Sequence, residues 1–76
     1  MEAKLLREFI TLRGFSTKAF IEEIGISSSA YYKKLNGSSM FKAKEIRKIK
    51  EVLHLNGEEL TNIFFNQNVS QKIHFD

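Results

Sequence analysis

The chain has 76 residues, 42% of them hydrophobic with seven Phe, and it contains no proline and no cysteine. That composition fits one small globular domain built of helices, and it excludes disulfides, thiol catalysis and cysteine-based zinc sites. The net charge of +3 hides an asymmetry: residues 1–32 are balanced, residues 33–50 carry Lys33, Lys34, Lys42, Lys44, Arg47, Lys48 and Lys50 against Glu45 alone for a net +6, and residues 51–76 carry −3. Such a cluster favours a polyanion such as nucleic acid, although lysine-rich helix faces also serve solubility alone. No apolar run exceeds three residues, as at Ile63-Phe64-Phe65. Neither a membrane span nor a signal peptide is therefore expected, and the predicted location is cytoplasmic.

Residues 2–13 place Leu5, Phe9 and Leu12 at helical spacing with Leu6 and Ile10 beside them, which predicts an amphipathic first helix ended by Gly14. Ser16 is the natural cap of a second helix over 17–24, whose apolar face is Phe20, Ile21 and Ile24. Gly25 stands where that helix must stop and the chain must turn with positive φ. Ser27 then caps a third helix reaching residue 35, with Tyr31 and Leu35 as buried anchors at i, i+4. The turn pair Asn36-Gly37 leads to a fourth helix over 43–53, with Ile46, Ile49, Val52 and Leu53 inward. Asn56 and Glu59 form a capping-box pair that announces a fifth helix carrying Leu60, Ile63 and Phe64. In the tail, Val69, Gln71, Ile73 and Phe75 alternate with Ser70, Lys72, His74 and Asp76, which reads either as a short strand or as a disordered end. The organisation expected is one all-α domain over residues 1–65 and a tail over 66–76.

The segment 16–37, read as cap, short helix, glycine turn, cap, second short helix and Asn-Gly, has the form of a helix-turn-helix. Its wording resembles the Xre/Cro family of phage and bacterial repressors. The run Gly25-Ile26-Ser27 with Tyr32-Lys33-Lys34-Leu35-Asn36-Gly37 is similar to a variant found in phage-derived regulators of Gram-positive bacteria. The resemblance covers about residues 4–65 and implies a five-helix lambda-repressor-like domain with helices 2 and 3 as the helix-turn-helix. It departs from the family at Thr17, Ile21 and Ser28, where the family usually has Gln, Ala, and Arg or Gln. A side chain as large as Ile21 implies wider helix spacing or a differently filled core.

The function implied is sequence-specific binding of double-stranded DNA by a transcriptional regulator, a repressor or Cro-like protein, in the cytoplasm of a bacterial host cell. In the family's docking mode the third helix enters the major groove. Ser28, Ser29, Tyr32 and Lys33 share one side of it, opposite Tyr31 and Leu35. With Ser27 at the tip, these are the expected base contacts, while Tyr31 is assigned to the core. Expected phosphate contacts are Ser16 and Thr17 at the start of helix 2, Asn36 after helix 3, and then Lys42 and Lys44. The family tends to place Ser or Thr at the position of Lys42, so this residue is expected to give up a helix cap in exchange for a phosphate contact. Lys34, Arg47, Lys48 and Lys50 read equally well as a solvated face.

A homodimer, at least on DNA, is expected through Phe65, Ile73 and Phe75, because adjacent Phe64 and Phe65 cannot both face one core. No catalytic residue, cofactor, metal or small-molecule substrate is expected. Glu22-Glu23 and Glu58-Glu59 diverge by about 100° on a helix, His54 and His74 lack neighbouring ligands, and there is no glycine-rich phosphate loop. The alternative reading is a protein-interaction module, such as an antirepressor or assembly factor, that keeps the fold without operator binding.

Overall fold

Each of the helices is short, eight or ten residues built around an apolar stripe, and the second, third and fifth begin at a side-chain cap. The structure, a computed structural model, describes residues 1–65; the expectations for the tail, Ile73 and Phe75 included, lie outside these residues. The elements are α1 (Ala3–Leu12), α2 (Thr17–Ile24), α3 (Ser28–Leu35), α4 (Ala43–Val52) and α5 (Gly57–Phe64). No strand occurs among the described residues, and no helix among them is long and apolar enough to cross a membrane. The expected all-α arrangement of five helices is present.

The caps are those the residue types dictate. Ser16 Oγ accepts the Ala19 N–H and Ser27 Oγ accepts the Ala30 N–H, both at 3.1 Å. Asn56 Oδ1 accepts the Glu59 N–H at 2.7 Å while Glu59 Oε1 accepts the Asn56 N–H at 2.9 Å, a closed capping box. At the other end of α2, Gly25 adopts φ +79° and its N–H reaches the Ile21 carbonyl, the left-handed stop that a residue without Cβ makes cheaply. The same kind of stop closes α4 without glycine: His54 takes φ 53° and the Leu55 N–H reaches the Lys50 carbonyl at 3.0 Å.

The core is one cluster drawn from every helix, with Leu6, Ile10, Phe20, Tyr31, Ile49, Leu53 and Ile63 fully enclosed. α2 packs against α1, α3 and α4, and α1 packs against α5. Ile21 is buried with them, so its bulk contributes to the core. A chain of edge-to-face rings crosses the molecule from Phe15 to Phe20, Tyr31, Phe41 and Phe64, with centroid separations of 6.4, 6.2, 6.3 and 5.8 Å. That geometry adds to burial because the positive ring edge meets the negative ring face.

One expectation fails in α1. Its buried stripe is Leu6 and Ile10, Leu5 and Phe9 are half-buried, and Leu12 is 69% exposed. The end of α1 is instead fixed by Arg13, whose Nε donates to the Leu53 carbonyl at 2.7 Å and whose guanidinium lies 5.5 Å from the Phe9 ring centre. Arg13 also approaches Glu59 at 3.9 Å. One side chain thereby joins the ends of α1 and α4 to the start of α5.

Candidate nucleic-acid interface

α3 is eight residues long, and its sequence Ser-Ser-Ala-Tyr-Tyr-Lys-Lys-Leu divides cleanly into two faces. Tyr31 is 1% exposed and meets Phe20 and Phe41 edge-on. Burial pushes its hydroxyl pKa up, with the adjacent Tyr32 adding to the shift against a smaller opposing effect of Arg7, so it stays neutral. Tyr32, one position on, is 52% exposed and leans its ring edge on Tyr31 at 5.1 Å. Ser27, Ser28, Ser29 and Lys33 are exposed as well. The five residues expected to meet bases thus lie in solvent at one end and one side of a helix whose other side is anchored by a buried ring.

The lysines at 33 and 34 have different fates. Lys34 Nζ lies 3.2 Å from Glu45 Oε1, with both side chains nearly buried. Lys34 is therefore no part of a solvated face: it ties the last turn of α3 to the first turn of α4. Burial by itself favours protonated Glu45, but the Lys42 N–H bond and the Lys34 ammonium outweigh it, so the carboxyl titrates below its ordinary range.

Glu45 also changes the reading of Lys42. The Lys42 side chain offers no acceptor, as expected, yet its backbone N–H donates to Glu45 Oε1 at 2.8 Å, and the Glu45 N–H reaches the Lys42 carbonyl at 2.9 Å. α4 thus keeps half of a capping box, and the loss attributed to Lys42 is smaller than the sequence implied.

Of the expected phosphate contacts, Ser16 is exposed and Thr17 half-exposed at the start of α2. Asn36 is exposed after α3, with its Oδ1 accepting the Ser38 N–H at 2.9 Å. The Ser38 N–H also reaches the Lys33 carbonyl at 2.9 Å, and Gly37 has φ +92°, so the end of α3 is a tight hydrogen-bonded stop. Lys42 and Lys44 flank a depression of about 350 Å³ between the α2–α3 turn at Gly25 and Ile26 and the first turns of α4. Lys48 lines it too. Sequence reading left Lys48 on a generic basic face, although its i+4 relation to Lys44 was the available signal. Arg47 and Lys50 are exposed.

Phe65 is 47% exposed beside Phe64, as the 100° helical step requires. Among the described residues, no group of three His, Asp or Glu side chains is arranged to hold a metal ion. No family model, curated protein or solved structure matches the chain.

Proposed function

We propose that this chain is a sequence-specific double-stranded DNA-binding transcriptional regulator, a phage-derived repressor or Cro-like protein of the Xre/Cro kind, acting in the cytoplasm of a bacterial cell. In this reading α2, the turn at Gly25 and α3 are the helix-turn-helix of a lambda-repressor-like domain, and α3 enters the major groove. The observation that carries it is the outer face of α3, where Ser28, Ser29, Tyr32 and Lys33 stand exposed with no carboxylate near them in sequence. No acidic residue occurs between Glu23 and Glu45, and Glu45 is buried against Lys34. A polyanion approaching the outer face of α3 meets the hydroxyls of Ser28 and Ser29, the Tyr32 ring and the Lys33 cation.

The roles follow from the chemistry of each group. Lys33 reaches guanine N7 and O6, the serine hydroxyls donate to or accept from base edges, and Tyr32 lays an apolar ring with a polar tip along the groove wall. Ser16, Thr17, Asn36, Lys42 and Lys44, joined by Lys48, contact phosphates and fix the register without reading sequence. So few base contacts select a short site, hence two copies on half-sites about 34 Å apart are proposed, with Phe65 offered to the contact between them.

Selection of bound sequences from a random duplex pool tests this reading. A short, two-fold symmetric consensus is expected, with affinity falling steeply as salt rises. A second reading, a protein-interaction module without operator binding, is favoured by the exposed apolar side chains of Leu12 and Met40. A pool that yields no consensus, together with partner binding insensitive to salt, decides for that alternative.

A further inference from the structure

A single carboxylate oxygen joins the two surfaces proposed for DNA. Glu45 Oε1 accepts the Lys42 N–H at 2.8 Å and lies 3.2 Å from Lys34 Nζ. Lys34 belongs to the last turn of α3 and directly follows Lys33. Lys42 stands before α4, beside the depression that Lys44, Lys48 and Glu45 itself border.

α3 is eight residues long, and its broad packing is with α2. Its ties toward α4 are the edge contact of Tyr31 with Phe41 and the Lys34–Glu45 pair. The intervening chain adds little restraint, since residues 36–40 are exposed. A ring contact tolerates sliding, because its attraction is spread over many weak atom pairs. A nearly buried ion pair does not, because separating it leaves each charge poorly solvated. Such a pair gives little net stability over an apolar substitute, yet it holds one geometry.

Reading a sequence requires base and phosphate contacts at once, whereas non-specific binding needs phosphate contacts alone. The spacing between the two sets of contacts therefore governs discrimination more than affinity. We propose that Glu45 is the positioning residue that fixes this spacing. It holds the α3 face of Ser28, Ser29, Tyr32 and Lys33 at a set distance from Lys42, Lys44 and Lys48, and so sets how well the protein distinguishes sequences. This role rests on the DNA-binding reading of the chain, and Glu45 fills it without touching DNA.

The test is the double variant Lys34→Met with Glu45→Gln. It removes one cation and one anion together, leaving the net charge unchanged, and the Gln oxygen still accepts the Lys42 N–H at the start of α4. Affinity is measured over a series of salt concentrations for a duplex selected by the wild type and for an unrelated duplex, together with amide residual dipolar couplings of the free protein. The ratio of the two affinities is expected to fall by about tenfold to a hundredfold, the discrimination carried by one good base contact. The unrelated duplex is bound as by wild type, with the same salt slope. The couplings of α3 change, while those of the other four helices still fit one rigid frame. Should the double variant fail to fold, Glu45→Gln alone keeps an acceptor for both donors but withdraws the charge, and it is expected to lower the ratio in the same direction by less. An unchanged ratio in a folded variant, or equal losses on both duplexes, overturns the positioning role and leaves the DNA reading intact. A wild type that selects no duplex overturns the DNA reading itself, and this role with it.

Discussion

The two faces of α3 carry the same residue types and do opposite things. Tyr31 and Lys34 face inward, one in the ring chain and one paired with Glu45, while Tyr32 and Lys33 between them face solvent. A rotation of about 100° per residue is all that separates an anchor from a candidate contact. The comparison teaches that the basic character of a segment says little about which cations are available. The inner pair orients the helix, and that fixed orientation is what makes the outer pair a coherent surface.

The largest expected effect lies on the inner face. Tyr31→Ala removes a fully buried ring with aromatic neighbours on several sides and is expected to destabilise by about 3–5 kcal/mol, measured by denaturant unfolding. Tyr32→Ala, by the same measurement, is expected to cost no more than about 1 kcal/mol for the lost edge contact. Equal losses for the two tyrosines would erase the distinction between the faces.

Next comes the Lys34–Glu45 pair. Lys34→Ala leaves a carboxylate nearly buried without its cation, which is expected to cost about 2–3 kcal/mol, below the range for fully buried pairs because some exposure remains. Glu45 has a folded pKa below its unfolded one, so its contribution is present above the unfolded carboxyl range and is lost as pH falls through the depressed value. Glu45→Gln should therefore be less stable than wild type at neutral pH and should lose less on acidification. Parallel stability–pH curves below the ordinary glutamate range would remove Glu45 from this role.

Lys33→Ala is the matched change on the outer face. It is expected to leave stability within about 0.5 kcal/mol and to lower affinity for a selected duplex by about 1–3 kcal/mol, relaxing preference at one base position. Titrations at several salt concentrations separate this from a phosphate contact, which would weaken all sequences alike. A Lys33 variant that binds as wild type while Lys34→Ala, still folded, does not would invert the assignment of faces.

Much of this was legible in the sequence because local rules govern it. Ser16, Ser27 and Asn56 cap through side chains that stand just before a helical pattern, Gly25 turns where a Cβ would be strained, and the i, i+4 spacing of Tyr31 and Leu35 gave the inward side of α3. What was not legible depends on partners distant in the chain. Lys34 meets Glu45 eleven positions away, Arg13 meets Leu53 forty positions away, and neither distance has a period to read. Leu12 shows the converse: it satisfies the helical pattern, yet it is 69% exposed while Ile10 in the same turn is buried. Lys48 joined Lys42 and Lys44 only once the α2–α3 turn was seen opposite them.

The smallest expected effect tests whether Lys42 belongs with the outer face. Its side chain is exposed at the first position before α4, where positive charge opposes the helix dipole and a hydroxyl would cap. Glu45 already accepts the Lys42 N–H, so Lys42→Ser is expected to stabilise by only about 0.5 kcal/mol, through the added cap and the removed charge. If Lys42 contacts a phosphate, the same variant binds DNA more weakly at every sequence, and its salt dependence is shallower by about one counterion. Thermal unfolding and salt-dependent titration are read together. Stabilisation with an unchanged salt slope would place Lys42 outside the interface and leave Lys44 and Lys48 as the cations of that depression. A shallower slope with no gain in stability would mean that Glu45 alone already satisfies the start of α4, and that the Lys42 charge is held where the dipole scarcely feels it.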